Sequence, residues 1–448
     1  MAHHAEHFDL DEKFDFSSAV KKKIFTILIL GLVFAVIGLI MLIMGGNDSH
    51  GAHGLNGMAS DALAYSGGAA GTEHGGHAHA VTWVTRVKVN FWINSVYFVG
   101  LSLIGAFFIA IQYVAMAGWS AGLRRIPEAI FKFLPFAAVM LVITFAVSYH
   151  DIFHWTDSSL YDKNSPNFDA IIAGKAGFLN MPFYITRSVI YLGVWILFTF
   201  LMQKQFNKEE YNLDPSKPNK QFFTLVKMSA GFIVFFGLST SMAAWDWVMS
   251  IDTHWFSTMF GWYNFASWWV GGLATITLTV VYLKEAGYLK FVNEAHLHDL
   301  GKFVFGFSIF WTYIWFSQFL LIYYANISEE TVYFIDRLSS DKYAKFIFIN
   351  LIFNFIFPFF GLMTRDAKRK MRILKLVCIA VIIGHWLDFY QMIMPGTLKD
   401  QGGFGFFEIG IFLIFAASFA YVIAMNLAKL PLIPKNHPLI KESLNHHH

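Results

Sequence analysis

The chain contains a single cysteine, Cys378, in 448 residues. That excludes an intramolecular disulfide framework, a CxxC zinc site, a cysteine-ligated iron–sulfur cluster and a CxxCH haem attachment. Charge is scarce too. Only 14% of residues are Asp, Glu, Lys or Arg, where a soluble domain carries about 25%. The formal net charge of +3 supplies no field to draw in nucleic acid. No GxxxxGK[ST] phosphate loop is present, and no lysine lies deep in an apolar run, as a retinal Schiff base requires. Hydrophobic residues make up 56% of the chain, and Phe alone numbers 50. The mean hydropathy is +0.50. A soluble globular protein and a disordered chain are both excluded, which leaves a polytopic helical membrane protein.

A helix needs roughly 20 apolar residues to cross a bilayer. Ten segments qualify, at about 24–44, 90–117, 127–148, 182–203, 222–250, 258–283, 301–325, 344–363, 372–394 and 404–427. These runs are continuous rather than alternating, which excludes a transmembrane β-barrel. The expected fold class is all-α, with about ten transmembrane helices. The first run is longer than a signal-peptide core and follows Lys21, Lys22 and Lys23, so it reads as a retained anchor. Lys and Arg concentrate on the segments that share a side with the N-terminus, notably Arg124, Arg125, Lys204, Lys208 and the run Arg365 to Lys375. By the positive-inside rule both termini are cytoplasmic. The organisation expected is a tail at 1–23, a ten-helix membrane domain at 24–427 with an outer loop at 45–89, and a tail at 428–448. The loop is rich in Gly and His, with His50, His53, His74, His77 and His79. It reads either as a metal-capturing tract or as a flexible loop. His446, His447 and His448 are assigned no role.

Ionisable residues inside the bilayer are costly and therefore mark candidate sites. His385 and Asp388 are three apart in GHWLDFYQMIMP and share a helix face. They form either a proton-carrying pair or an ion pair that locks two helices. Asp246 lies in the apolar run AAWDWVMSIDTHWF, and Asp252 and His254 follow in its outer turn. Glu408 opens the tenth span, His150, Asp151 and His154 close the third, and Arg187 opens the fourth. Together these suggest a polar funnel on the outer side or a docking surface for partners. On the inner side Glu128 follows Pro127 in the first turn of the third span, where the helix dipole favours an acid. His296, His298, Asp299 and Lys302 read as a capping and docking cluster or as a metal site. Gln112, Asn264, Gln318, Asn350 and Asn354 either line a water path or hydrogen-bond between helices. Only His385 lies deep in a span, so a bis-His haem of the cytochrome b type and haem–copper chemistry are both disfavoured.

Several runs resemble one bacterial family. These are NFWINSVYFVGLSLIGAFFIAIQYVAMAGWSAGLRRIPEA, WDWVMSIDTHWFSTMFGWYNFAS, HDLGKFVFGFSIFWTYIWFSQFLLIYYANISEET and the C-terminal PKNHPLIKESL. They resemble the ActF membrane subunit of alternative complex III, a quinol:cytochrome c oxidoreductase. The resemblance implies a polysulfide-reductase-like fold: two four-helix bundles with an extra helix at either side, the first and tenth spans. It implies no cofactor in this chain. Haem c and iron–sulfur clusters would sit in partner subunits, with quinol as the substrate of the whole. The partners implied are a larger homologous membrane subunit, an iron–sulfur subunit, multihaem and monohaem cytochromes c, and small membrane-anchored subunits in a bacterial inner membrane, with a terminal oxidase as a further candidate. The implied role is assembly and the lining of a proton route. Asp246, Asp252, His254, Gln112, Arg124, Arg125 and Glu128 fall within the resembling runs. His385, Asp388 and Glu408 rest on the residues alone. No quinone-binding residue is identified. The competing readings are a purely structural scaffold and a free-standing secondary transporter, which would bind solute between broken helices.

Overall fold

The computed structural model describes residues 9–63, 83–211 and 219–447, the side chains of 45–63 excepted. Ten helices among them are long and apolar enough to cross a membrane. The protein is an all-α polytopic membrane protein. The physical reason is that a bilayer core offers no water to backbone amides, so each spanning segment must pair its own N–H and C=O groups. The spans are Ser18–Met44, Trp83–Val114, Arg125–Ile152, Met181–Tyr211, Lys220–Ile251, Phe260–Glu285, Glu294–Ala325, Ala344–Gly361, Met371–Gln401 and Phe406–Leu427, numbered 1 to 10 in that order. Each expected run is found. The ends move outward at span 2, which starts at Trp83, and at span 9, which runs to Gln401. The helix of span 1 continues to Leu63. The expected loop 45–89 is therefore helical at both of its ends, and His74, His77 and His79 lie outside the described residues.

Spans 2 to 5 pack as one four-helix bundle and spans 6 to 9 as a second. Span 2 joins them, resting on spans 5, 6 and 9, and its apolar window is 100% buried. The flanking helices differ from the expected arrangement of one at either side. Span 10 lies on spans 2 and 3, and span 1 lies on span 10. The reason is steric. Gly38 and Gly410 leave no space for a side chain, since a Cβ there would strike the backbone of Phe407 and Ala35 respectively. Small residues at such a crossing let two helices approach within van der Waals range, which is what holds helices together in lipid. Only 17% of span 1's window is buried.

Both termini reach the same face. Lys13 bridges to Pro431, and the Leu432 N–H donates to the Glu12 carbonyl at 2.9 Å. Spans 5 and 9 end in 3-10 turns, and two others are interrupted within their length. Span 3 consists of Arg125–Phe131 and Leu134–Ile152, the second beginning with Pro135 in its first turn. Span 8 runs Ala344–Leu351, then a π-helical turn Ile352–Ile356, then Phe357–Gly361 with Pro358 in its first turn. A π turn admits one extra residue and re-aims the side chains around it.

Candidate functional site

The face opposite the termini carries three acids that the sequence marked, and each meets an arginine from a distant element. Arg187 of span 4 forks onto Asp246 of span 5, with Nε to Oδ2 at 2.9 Å and Nη2 to Oδ1 at 2.6 Å. Tyr191 donates its hydroxyl to the same carboxylate at 3.2 Å. The guanidinium also lies over the rings of Phe178 and Phe183. Arg86 of span 2 forks onto Glu408 of span 10 at 2.8 and 2.9 Å, and Glu408 Oε2 accepts the Gly405 N–H, capping its own helix. Arg337, from the short helix Ser328–Leu338, donates to Asp252 at 2.9 Å and to the Gln391 and Met392 carbonyls at 3.0 Å. The Arg187 and Arg86 pairs are bidentate, and such pairs are strong and directional. Each of the three acids is tied to its own cation.

Asp388 is built differently. It sits in span 9, 1% exposed, with no arginine or lysine in hydrogen-bond contact. Its donors are neutral. Tyr263 of span 6 donates to Oδ1 and Ser267, one turn on, to Oδ2. Trp311 of span 7 donates its indole N–H to Oδ2 at 2.9 Å. The expected partner, His385, lies with Nδ1 4.0 Å from Oδ2, too far for a hydrogen bond. His385 is fully buried, with the Trp311 ring edge-on at 5.5 Å between centroids, and both its ring nitrogens lack a protein partner. Asn354, at the π turn of span 8, packs against Gly384, and both of its amide atoms are likewise unpartnered. A small cavity opens beside Asp388, lined also by Tyr263, Trp311, Trp315, Asn350 and Gln391. Unpaired polar groups in a dry interior cost about 1–3 kcal/mol each.

On the terminal face Glu128 sits in the first turn of its helix, as expected, but its surroundings are richer than a dipole contact. Arg125 meets Glu128 and Glu210 at 3.0 Å each, Lys132 meets Glu128 at 3.6 Å, and Arg124 pairs with Glu209. Three acids and three bases balance, knitting span 3 to the end of span 4. Arg124 also donates to the Tyr113 hydroxyl at 2.9 Å. His437, from the C-terminal segment, packs against the rings of Tyr113 and Phe222. Burial, with Arg124 nearby, pushes its pKa down to about 3.

The remaining candidates are peripheral. Asp151 pairs with Lys88 at 2.6 Å on a partly exposed surface, and His150 is exposed beside the Tyr149 ring. His254 meets Asp169, which caps the helix Ala170–Gly174. His296 forms a capping box with Asn293, and Lys302 pairs with Asp299 at 2.6 Å, so that cluster does cap and dock. Among the described residues no group of three or more His, Cys, Asp or Glu is arranged to hold a metal ion. Sequence reasoning missed Tyr263, Ser267, Trp311 and Gln391. Spacing offered one signal: Tyr263 and Ser267 stand four apart on span 6 and so share a face. No known family and no curated protein matches this chain in sequence comparisons.

Proposed function

We propose that this chain is a non-haem integral membrane subunit of a bacterial quinol:cytochrome c oxidoreductase of the alternative complex III type. It supports assembly and carries protons, in the inner membrane with both termini cytoplasmic. The observation that supports the proton role is Asp388. Its charge is tied to no fixed cation, so taking up a proton breaks no ion pair. His385 stands 4.0 Å away with both ring nitrogens free of protein partners, within reach of a single bridging water. Asp246, Asp252 and Glu408 serve assembly in this reading, since protonating any of them breaks a bond to arginine. The resembling runs quoted above supply the choice of complex. Haem c and iron–sulfur clusters belong to the partner subunits.

The test is recovery of this chain from native membranes in mild detergent, with identification of co-purifying proteins and a visible spectrum. A c-type haem spectrum, an iron–sulfur protein and a second polytopic subunit are expected. A colourless, well-folded chain alone sinks the proposal. It would favour the transporter reading, for which the break in span 8 at the π turn and Pro358 is the relevant observation.

A further inference from the structure

We propose that the cavity beside Asp388 is a binding site for one monovalent cation, sodium. This goes beyond the proton role and rests on the cavity alone. Three of its donors are engaged: Tyr263 and Trp311 donate to Asp388, and the Gln391 amide nitrogen donates to the Tyr343 carbonyl at 3.0 Å. Two oxygens of cavity-lining residues are left without a partner, Oδ1 of Asn350 and Oε1 of Gln391. Both residues are more than nine-tenths buried, at 4% and 5% exposure. A carboxylate and two amide oxygens are the hard donors that alkali and alkaline-earth cations take.

Charge selects among those cations. Asp388 supplies one negative charge and no second acid lines the space. A divalent ion would leave a net positive charge buried, which is expensive without a counter-ion. An anion would meet a carboxylate and no cation. The space is the size of a single water, which suits a small dehydrated ion. Placement agrees as well. The π turn Ile352–Ile356 begins one residue past Leu351, which lines the cavity. Interrupted helices near the middle of a bilayer are where membrane proteins coordinate sodium. Sodium and a proton then compete for one carboxylate.

The test is equilibrium binding of radioactive sodium to the full chain in detergent, at constant ionic strength with choline as the balancing cation, between pH 6 and 8.5. The wild type is expected to bind about one sodium per chain, displaced by unlabelled sodium and not by choline. Asp388→Asn should abolish binding. Gln391→Leu and Asn350→Leu should each raise the half-saturating concentration by about 10-fold or more, as losing a hydrogen-bond-strength contact to a charge does. These two carry the test if Asp388→Asn fails to fold. Absence of saturable binding by the folded wild type overturns the proposal, as does binding left unchanged in both leucine variants. A chain that binds sodium but co-purifies with no cytochrome sinks the complex and leaves this site standing. A cytochrome-bearing complex without sodium uptake does the reverse.

Discussion

Asp246 and Asp388 each sit on the last span of a four-helix bundle, Asp246 near its end and Asp388 near its middle, and both are almost fully buried. Each accepts a tyrosine hydroxyl. They differ in the third partner. Asp246 has the Arg187 fork, and Asp388 has an indole N–H and a serine. A buried carboxylate forked by a guanidinium fastens helices through an ion pair. One held by neutral donors takes up a proton without breaking an ion pair. Burial alone therefore does not distinguish the two acids; the presence or absence of a fixed counter-charge does. The same contrast separates Glu408, forked by Arg86, from Asp388.

The sharpest way to break the comparison is to remove a cation. Arg187→Leu strands the Asp246 charge and should cost about 3–5 kcal/mol, read as a loss of thermal stability in detergent. Pairing it with Asp246→Leu should restore most of that. A single variant as stable as the wild type would refute the fastening role. Asp388→Asn should cost less, about 1–3 kcal/mol, because one of three neutral donors loses its acceptor. In the proposed complex, assembly should persist while protons moved per electron fall; assembly failing in step with proton movement would make Asp388 structural too.

His437 extends the comparison to a buried base that stays neutral. Its pKa lies at about 3 when folded and near 6.5 when the chain is unfolded. The unfolded state binds the extra proton, so stability is complete above about pH 6.5 and is lost as pH falls toward 3. His437→Gln should flatten the unfolding temperature across that window; an unchanged slope would place the titration elsewhere. The smallest effect belongs to the partly exposed Lys88–Asp151 pair, which water screens. Lys88→Ala should change stability by less than about 1 kcal/mol in thermal unfolding, and a larger loss would show that exposure does not set the scale here.

The helices were legible because hydropathy is a local property. Each span was visible as a run, and the residue pair His385 and Asp388 was visible because three positions make one helix face. The capping role of His296 was legible for the same reason. The length of span 2 was less so, because Arg86 and Lys88 lie inside its first turns and look like loop residues until Glu408 and Asp151 are placed beside them. The pairing of span 1 with span 10 was not legible. It depends on Gly38 and Gly410, whose value lies in the neighbour they admit.

The sequence by itself determined that this is a membrane protein, where its ten long apolar runs lie, and that Asp246, Asp388 and Glu408 fall within or at the ends of them. Those follow from transfer free energies that each segment carries alone. Only the tertiary structure decided which acids are fastened and which is free. Arg86 and Glu408 are 322 positions apart, and Tyr263 and Asp388 are 125 apart. Whether a buried charge meets an arginine or a tyrosine is set by how the bundles pack, and packing is a property of pairs of helices that no single run contains.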